Sequence, residues 1–180
     1  MHGWVTGPRS TAKAVPYWEG AHSIPRVVEL KGDRLWQEPI PELKVLRGKH
    51  HTAADQVKGD ALEMIATFVP GDAKTFGVKL RVSDDGRQFT RVYFDTASGT
   101  FGVDGQALKR HPQQSYVKSG NPVTLHIFLD RSIVEVYVNG AAQTARTFPE
   151  AGSLGIEVFS EGGKAELKTL DVWEMKSMWE

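Results

Sequence analysis

One stretch decides the fold: Asp130-Arg131-Ser132-Ile133-Val134-Glu135-Val136-Tyr137-Val138-Asn139-Gly140. Ile133, Glu135 and Tyr137 alternate with three valines, which is the period of two that a strand imposes on its side chains. The Asp-Arg-Ser and Asn-Gly ends are both turn sequences. We therefore expect a strand between two turns, in which Asp130 binds turn amides and Glu135 pairs with a neighbouring strand. Contact with a sugar is the alternative role for this motif.

The same alternation extends over most of the chain on both sides of this stretch. It begins near Ala61 and continues to Trp173, with Gly-, Asp- and Asn-containing turns between the segments. Such spacing is typical of antiparallel hairpins. About eight short strands separated by turns predict an all-β fold, an antiparallel β-sandwich of the jelly-roll or concanavalin-like type.

The first part of the chain lacks this regularity. It is rich in Trp, Pro, Gly and basic residues and contains no long periodic element. Residues 27–36 predict a hairpin around a Gly-Asp turn, and residues 41–48 predict a short helix that starts at a proline and is stopped by Gly48. We therefore divide the chain into an irregular N-terminal segment with one short helix, residues 1–48, and a sandwich domain, residues 49–180.

The charge balance and the absence of cysteine exclude several functions. The 22 basic and 22 acidic residues give a net charge of zero, so no electrostatic field attracts nucleic acid. Without cysteine the chain has no disulfide, no thiolate metal site and no cysteine nucleophile. No apolar run approaches the ~20 residues that cross a bilayer, and the first residues lack a signal-peptide pattern. Neither nucleic acid nor a membrane is an expected partner.

Residues 130–140 resemble the C-terminal domain of glycoside hydrolase family 32, the family of invertases, levanases and inulinases. Similar segments cover nearly the whole chain: residues 3–5, 22–26, 37–43, 76–80 and 92–95. The domain is also similar to carbohydrate-binding module family 66, which binds fructans. The resemblance implies that residues 1–48 hold the remnant of the last propeller blade and the linker, and that the catalytic propeller is a partner. It also implies an extracellular or periplasmic location.

The catalytic motifs of that family do not occur in this sequence. Its members resemble other retaining glycosidases in needing a nucleophile and a general acid about 5–5.5 Å apart. The family carries them in Asn-Asp-Pro, Arg-Asp-Pro and Glu-Cys motifs, whereas here no Asp precedes Pro and there is no cysteine. The resemblance therefore implies a non-catalytic sandwich that supports the propeller of a fructan- or sucrose-hydrolysing parent. The alternatives are a free-standing module that binds terminal fructose and a repurposed enzyme with its own site.

A sugar site needs hydrogen-bonding groups beside an aromatic surface. Arg91, Tyr93 and Asp95 supply both along one face of a predicted strand, while Val92 and Phe94 face the core. A solvated strand face is the simpler alternative. Two further candidates on adjoining strands complete the predicted set, Glu63 and Arg81.

No cofactor or metal is predicted. The adjacent acids Asp84 and Asp85 are typical of a solvated turn and lack the alternating ligands of a calcium loop. His50 and His51 stand in an expected polar linker without a third ligand, which does not support zinc. His126 is expected to be exposed or hydrogen-bonded rather than a general base.

The N-terminal tryptophans have two interpretations. Trp4, Trp18 and Trp36 are spaced like a sugar-stacking set, but in the resembled family this stretch packs against the propeller. Exposed in this chain, they predict an apolar patch through which copies of the chain associate.

Overall fold

The computed structural model describes residues 1–5, 21–105 and 112–178. Two short 3₁₀ helices span Pro41–Leu46 and Ala54–Gln56. Among the described residues, no helix has the length and apolarity that crossing a membrane requires. The strands are β1 (Trp4–Val5), β2 (Ala21–His22), β3 (Arg26–Lys31), β4 (Arg34–Pro39), β5 (Arg47–His51), β6 (Ala61–Val69), β7 (Thr75–Val82), β8 (Thr90–Asp95), β9 (Thr100–Gly105), β10 (Gln113–Gln114), β11 (Val123–Asp130), β12 (Ile133–Val138), β13 (Ala141–Arg146), β14 (Gly155–Glu161) and β15 (Glu166–Met175).

Two antiparallel sheets form the sandwich. One has six strands in the order β13-β12-β11-β6-β15-β5, and the other has five in the order β10-β9-β8-β7-β14. Neither neighbour of β6 in the sheet follows it directly in the chain. β15 returns from the C-terminal end of the sandwich to pair with β6 on one side, and β11 pairs with it on the other. The predicted all-β antiparallel sandwich is confirmed.

The core lies between the two sheets and follows the period of two read from the sequence. Val134, Val136 and Val138 of β12 are all buried in it, as the alternation predicts. Aromatic rings cross the layer: the ring centroids of Phe68 from β6 and Phe76 from β7 lie 5.0 Å apart. Burying such side chains contributes roughly 1.5–3 kcal/mol each, so this layer is the main source of stability.

The turns at both ends of β12 use left-handed backbone conformations. Arg131 has φ 51° in the turn before the strand, and Asn139 and Gly140 have φ 46° and 88° in the turn after it. Positive φ at both central residues is what an Asn-Gly hairpin turn requires. The two predicted turns are therefore present where the sequence placed them.

The N-terminal segment covers the outer face of the six-stranded sheet. The β3–β4 hairpin bonds to the β12–β13 turn, where the Gln37 amide donates to the Gly140 carbonyl at 2.7 Å. The ring of Trp36 lies directly over Gly140, since a Cβ built there would fall 2.2 Å from its Cδ2 atom. The β3–β4 hairpin thereby packs over part of this outer face.

Two expectations about residues 41–51 were wrong: that the first helix is stopped by Gly48, and that His50 and His51 lie in a polar linker. The 3₁₀ helix ends at Leu46, and Gly48 lies inside β5, where a Cβ would fall 2.9 Å from the Glu174 carbonyl oxygen. His50 and His51 belong to this strand, which pairs with β15. This stretch was interpreted as a linker because its residues are polar. An edge strand with exposed positions needs little apolar alternation. The division at residue 48 stays a prediction.

Candidate functional site: the outer face of the six-stranded sheet

A row of polar and aromatic side chains crosses the outer face of the six-stranded sheet. Two glutamates in this row, Glu135 and Glu63, stand two strands apart, so their Cα atoms lie about 10 Å apart at ordinary strand spacing. Both are almost fully buried although they point away from the core. From β13 to β5 the row consists of Thr144, Glu135, Phe128, Glu63, Trp173 and His50.

Glu63 forms the first buried centre, with 2% of its side chain exposed. Arg47 Nε and Nη2 each donate to its carboxylate at 2.7 Å, and His126 Nε2 lies 2.7 Å from Oε1. The Arg47 guanidinium also lies 3.7 Å from the ring centroid of Trp173. Burial alone would raise the pKa of the Glu63 carboxyl, but the hydrogen bonds from Arg47 and His126 outweigh it and hold that pKa at about 2.

Glu135 forms the second buried centre. Arg26 Nη2 donates to its Oε2 at 2.6 Å, and the Ile24 amide donates to Oε1 at 2.5 Å. Thr144 and Tyr137 hydroxyls donate to the same carboxylate at 3.2 Å. Burial, followed by the charge of Glu135, raises the pKa of Tyr137, so its phenol keeps the proton that it donates.

The two centres join different parts of the chain. Arg26 opens β3 of the N-terminal hairpin, so its pair with Glu135 binds that hairpin to the sheet. Arg47 opens β5, the edge strand of the same six-stranded sheet, so its pair with Glu63 lies within the sheet. Sequence reasoning missed both arginines, and also the role of His126 as a partner of Glu63. The sequence did contain a signal for such a partner. A glutamate within a strand that is rich in apolar residues predicts a cationic partner, because a covered carboxylate must be neutralised.

The lowered pKa of Glu63 makes one contribution to the loss of stability in acid. The folded-state pKa of about 2 lies below that of an unfolded glutamate, so the ion pair stabilises the fold above about pH 4.3 and this contribution is lost as the pH falls toward 2. We expect urea unfolding to show a loss of stability in that interval, with a smaller loss in Glu63→Gln. Identical pH profiles for the two proteins would contradict the assignment.

The structure does not bring the five predicted sugar-site residues together. Arg91, Tyr93 and Asp95 lie on β8 in the five-stranded sheet, whereas Glu63 lies on β6 in the other sheet, facing away. Arg81 has φ 56° at an irregular position of β7, and its buried side chain pairs with Asp60. The expectation of an adjoining strand was therefore wrong for Glu63, which lies in the other sheet. Arg81 does lie on β7, the strand next to β8, but its side chain is buried and paired with Asp60.

Arg91 stands in a polar cluster that the sequence disclosed only in part. Its Nε and Nη2 donate to Asp104 at 3.1 and 3.0 Å, and its Nη1 donates to Glu161 at 2.9 Å. The guanidinium lies 5.6 Å from the ring centroid of Tyr93. Asp95 instead binds the turn at Ser98. The hydrogen bond from the Ser98 backbone amide lowers the pKa of Asp95, burial partly opposes this, and the hydrogen bond from the Ser98 hydroxyl lowers it further. Asp104 was missed because only the strand register makes it the cross-strand partner of Arg91, and Glu161 was missed because it lies two strands away on β14.

The turn that begins the 130–140 motif is held by backbone hydrogen bonds. Asp130 is exposed and its side chain makes no hydrogen bond within the described ranges, so it does not bind turn amides as expected. The Arg131 amide instead donates to the Asp60 carbonyl at 2.6 Å, and the Ser132 carbonyl accepts from the Thr147 amide at 2.7 Å. Backbone groups, not the aspartate, anchor this turn.

The remaining polar candidates also have ordinary partners. Asp85 accepts a hydrogen bond from the Ser83 hydroxyl at 2.6 Å, as a turn former does. His51 Nε2 lies 2.9 Å from Glu174 Oε1, and the ring of His50 stacks on the ring of Trp173 with 4.8 Å between their centroids. Within residues 1–5, 21–105 and 112–178, no group of three or more metal-binding side chains is present. Trp18 and the side chain of Trp4 fall outside the described part of the structure.

Comparisons with known proteins place the chain in a family. Residues 36–174 match the family described as glycosyl hydrolases family 32 C terminal. The levanase of Bacillus subtilis (strain 168) is 33% identical over 193 residues, which cover 90% of this chain and 28% of the levanase. A raffinose invertase of Escherichia coli is 30% identical over 178 residues, covering 87% of this chain and 35% of the invertase. The chain thus spans roughly a third of the length of these relatives.

A solved structure agrees with the fold. The exo-inulinase of Aspergillus awamori superposes with a TM-score of 0.80 at 24% identity, covering 99% of this chain and 40% of the inulinase. The similarity to carbohydrate-binding module family 66 stays a prediction. Since the family match extends over more than half of the sequence, the chain belongs to the C-terminal domain family of glycosyl hydrolase family 32.

Proposed function

We propose that this chain is a non-catalytic sandwich that supports the catalytic domain of a fructan- or sucrose-hydrolysing enzyme. The relatives named levanase and raffinose invertase support this choice of parent activity. One observation carries the supporting role: the β3–β4 hairpin that precedes the sandwich is fixed to it by the buried ion pair Arg26–Glu135 and by the hydrogen bond from the Gln37 amide to the Gly140 carbonyl. Rigid attachment at this point defines how a preceding domain is oriented.

The buried glutamates are unsuited to glycoside hydrolysis. A general acid must hold a proton near neutral pH, whereas Glu63 is ionised down to about pH 2. Glu135 is occupied by Arg26, the Ile24 amide and two hydroxyls. The pair therefore stabilises the fold rather than cleaving a bond.

An activity assay tests the absence of catalysis. We expect the purified chain to release no fructose from sucrose, raffinose or levan above the buffer rate. Turnover that copurifies with the chain and disappears in Glu63→Gln would overturn the proposal.

The hairpin presents a surface suited to a partner domain. Leu30 and Leu35 are cross-strand partners at the end of the β3–β4 hairpin and are 72% and 57% exposed. Paired exposed leucines are typical of a surface that another protein covers. We assign this hairpin tip to contact with the catalytic domain; self-association through the N-terminal segment stays the competing prediction.

Substitution of the hairpin tip tests this contact. We expect Leu30→Glu with Leu35→Glu to weaken binding to a separately produced family 32 catalytic domain at least tenfold, because two charges enter an apolar contact. Met178→Glu is the matched control, since Met178 is equally exposed at 70% outside the hairpin. Equal weakening in both proteins would reject the hairpin tip, and a dimer in sedimentation that the double variant dissolves would favour self-association.

A second candidate function is fructan binding on the outer face of the five-stranded sheet. The observation that favours it is the convergence of Arg91, Asp104, Glu161 and Tyr93 in one partly exposed cluster. We expect Arg91→Ala to abolish any binding of levan without unfolding the sandwich. Lys79→Ala is the control, because Lys79 is the cross-strand neighbour of Arg91 and pairs with Glu157 at 3.3 Å. Unchanged affinity in Arg91→Ala would reject this location.

A further inference from the structure

The turn between β12 and β13 places an asparagine side chain beside a backbone nitrogen that can attack it. In Asn139-Gly140 the second residue has no Cβ, so its amide nitrogen approaches the Asn139 side-chain carbon with little hindrance. The chain has one other asparagine, Asn121, and it precedes Pro122, whose nitrogen carries no hydrogen. Asn139 is therefore the one asparagine in the sequence with a nucleophilic backbone nitrogen next to it.

Both reacting groups of this turn are free of hydrogen bonds. Asn139 is exposed, and its side-chain amide makes no hydrogen bond within residues 1–5, 21–105 and 112–178. In the same ranges the Gly140 amide nitrogen donates to no carbonyl. No hydrogen bond of either group has to break before the two meet.

The backbone of the turn has part of the geometry that the reaction needs. A five-membered ring is nearly planar, so ring closure requires the φ of about 60° and the ψ of about −120° found at the first central residue of a type II′ turn. Asn139 has φ 46°, and with Gly140 at φ 88° the observed turn is of type I′, in which this ψ is about 30°. The Asn139–Gly140 peptide must therefore turn over, which glycine allows.

The β3–β4 hairpin opposes this movement. The Gln37 amide holds the Gly140 carbonyl at 2.7 Å, and the Trp36 ring lies against Gly140. Trp36 is itself held, because its ring stacks on Tyr116 with 6.3 Å between centroids and Lys31 Nζ lies 4.3 Å from its centroid. Local opening of the hairpin therefore limits how fast the turn can react.

We propose that Asn139 is a deamidation site, and that its conversion to isoaspartate releases the β3–β4 hairpin from the sandwich. The Gly140 nitrogen gives its proton to solvent and attacks Asn139 Cγ; the Cγ–Nδ2 bond breaks, and ammonia leaves with a proton taken from solvent. Water then opens the resulting succinimide at the Asn139 main-chain carbonyl, so the chain continues through Cβ and Cγ and gains one backbone carbon. Opening at Cγ instead gives an ordinary aspartate.

Two features of isoaspartate weaken the contact with the hairpin. The added backbone carbon lengthens a two-residue turn and displaces Gly140 from Trp36 and from the Gln37 amide. The new carboxylate also enters the groove between the hairpin and the sheet, where the acidic residues Glu29 and Glu38 outnumber Lys44. All of these groups belong to this chain, so the inference does not depend on a catalytic domain.

Peptide mapping by mass spectrometry tests the site in the intact chain at mildly alkaline pH. We expect Asn139 to become an acid at least tenfold faster than Asn121 in the same molecules, because Pro122 cannot attack. Folded Trp36→Ala should react about tenfold faster than the wild type. Val45→Ala, which shortens a side chain that is 77% exposed in the first 3₁₀ helix, should react at the wild-type rate. Equal conversion of the two asparagines would overturn the proposal.

Hydrogen exchange of the Gln37 amide tests the release. In the purified isoaspartate form we expect this amide to exchange at least tenfold faster than in the unmodified chain, because its bond to Gly140 is lost. Asn139→Asp adds the charge without the backbone carbon and should give a smaller increase. The amide of Val78, in the core of the other sheet, should exchange equally in all three proteins. A Gln37 amide as protected in the isoaspartate form as in the unmodified chain would refute the release.

Discussion

Replacing Arg47 by methionine lowers the free energy of unfolding by about 3 kcal/mol, because it leaves the buried Glu63 carboxylate without its main cation. Arg47 supplies two of the hydrogen bonds that hold this carboxylate, and His126 alone remains. Urea denaturation at neutral pH measures the loss. The same substitution also removes the guanidinium from the ring of Trp173, so the fluorescence of the native state should change.

Two controls separate the buried charge from a general loss of packing. The double variant Arg47→Met with Glu63→Met is expected to regain most of the lost stability, because no unpaired charge then remains buried. Lys79→Met, which breaks the exposed pair with Glu157, should cost less than about 1 kcal/mol. If Arg47→Met costs no more than Lys79→Met, the Arg47–Glu63 ion pair does not hold the edge strand β5 in the sheet.

Replacing Gly140 by alanine is expected to cost about 3 kcal/mol and to displace Trp36 from the β12–β13 turn. The methyl group would fall 2.2 Å from Trp36 Cδ2, and the φ of 88° disfavours any side chain. The hairpin would also lose its backbone bond from Gln37 to Gly140. Thermal unfolding and tryptophan fluorescence report the two effects.

Gly120 provides the matched control for Gly140. It has φ 81° and nothing within 4 Å of a built Cβ, so Gly120→Ala isolates the backbone cost of about 1 kcal/mol. In a Trp36→Ala background, Gly140→Ala should fall to the same cost, since the clash is gone. Equal costs for the two glycines in the wild-type background would contradict the contact with Trp36.

The core was predictable from the sequence because burial follows a local rule. In β6 and β12, side chains alternate between the two faces of one strand, so a residue's neighbours along the chain indicate whether it points inward. The same rule correctly placed Val92 and Phe94 in the core. It could not indicate what covers the other face, since that depends on distant residues.

The candidate site shows this limit clearly. Glu63 was grouped with Arg91 because both alternate with buried residues, yet strand order assigns them to opposite sheets. The partner of Glu63 is Arg47, which begins the edge strand β5 in a stretch that lacks apolar alternation. Strand order within a sheet and register between strands decide such contacts, and neither can be read from a single strand.

By itself the sequence determined the β-sandwich, the turns around residues 130–140 and the absence of the catalytic motifs of family 32, because alternation, turn chemistry and missing residue types are local properties. Only the tertiary structure decided that Arg26 of the N-terminal hairpin and Arg47 of the edge strand β5 neutralise the two buried glutamates, and that a groove opens between the hairpin and the sheet. The physical reason is that a charge on a sheet face is stable under cover only when a distant part of the chain brings the opposite charge to it.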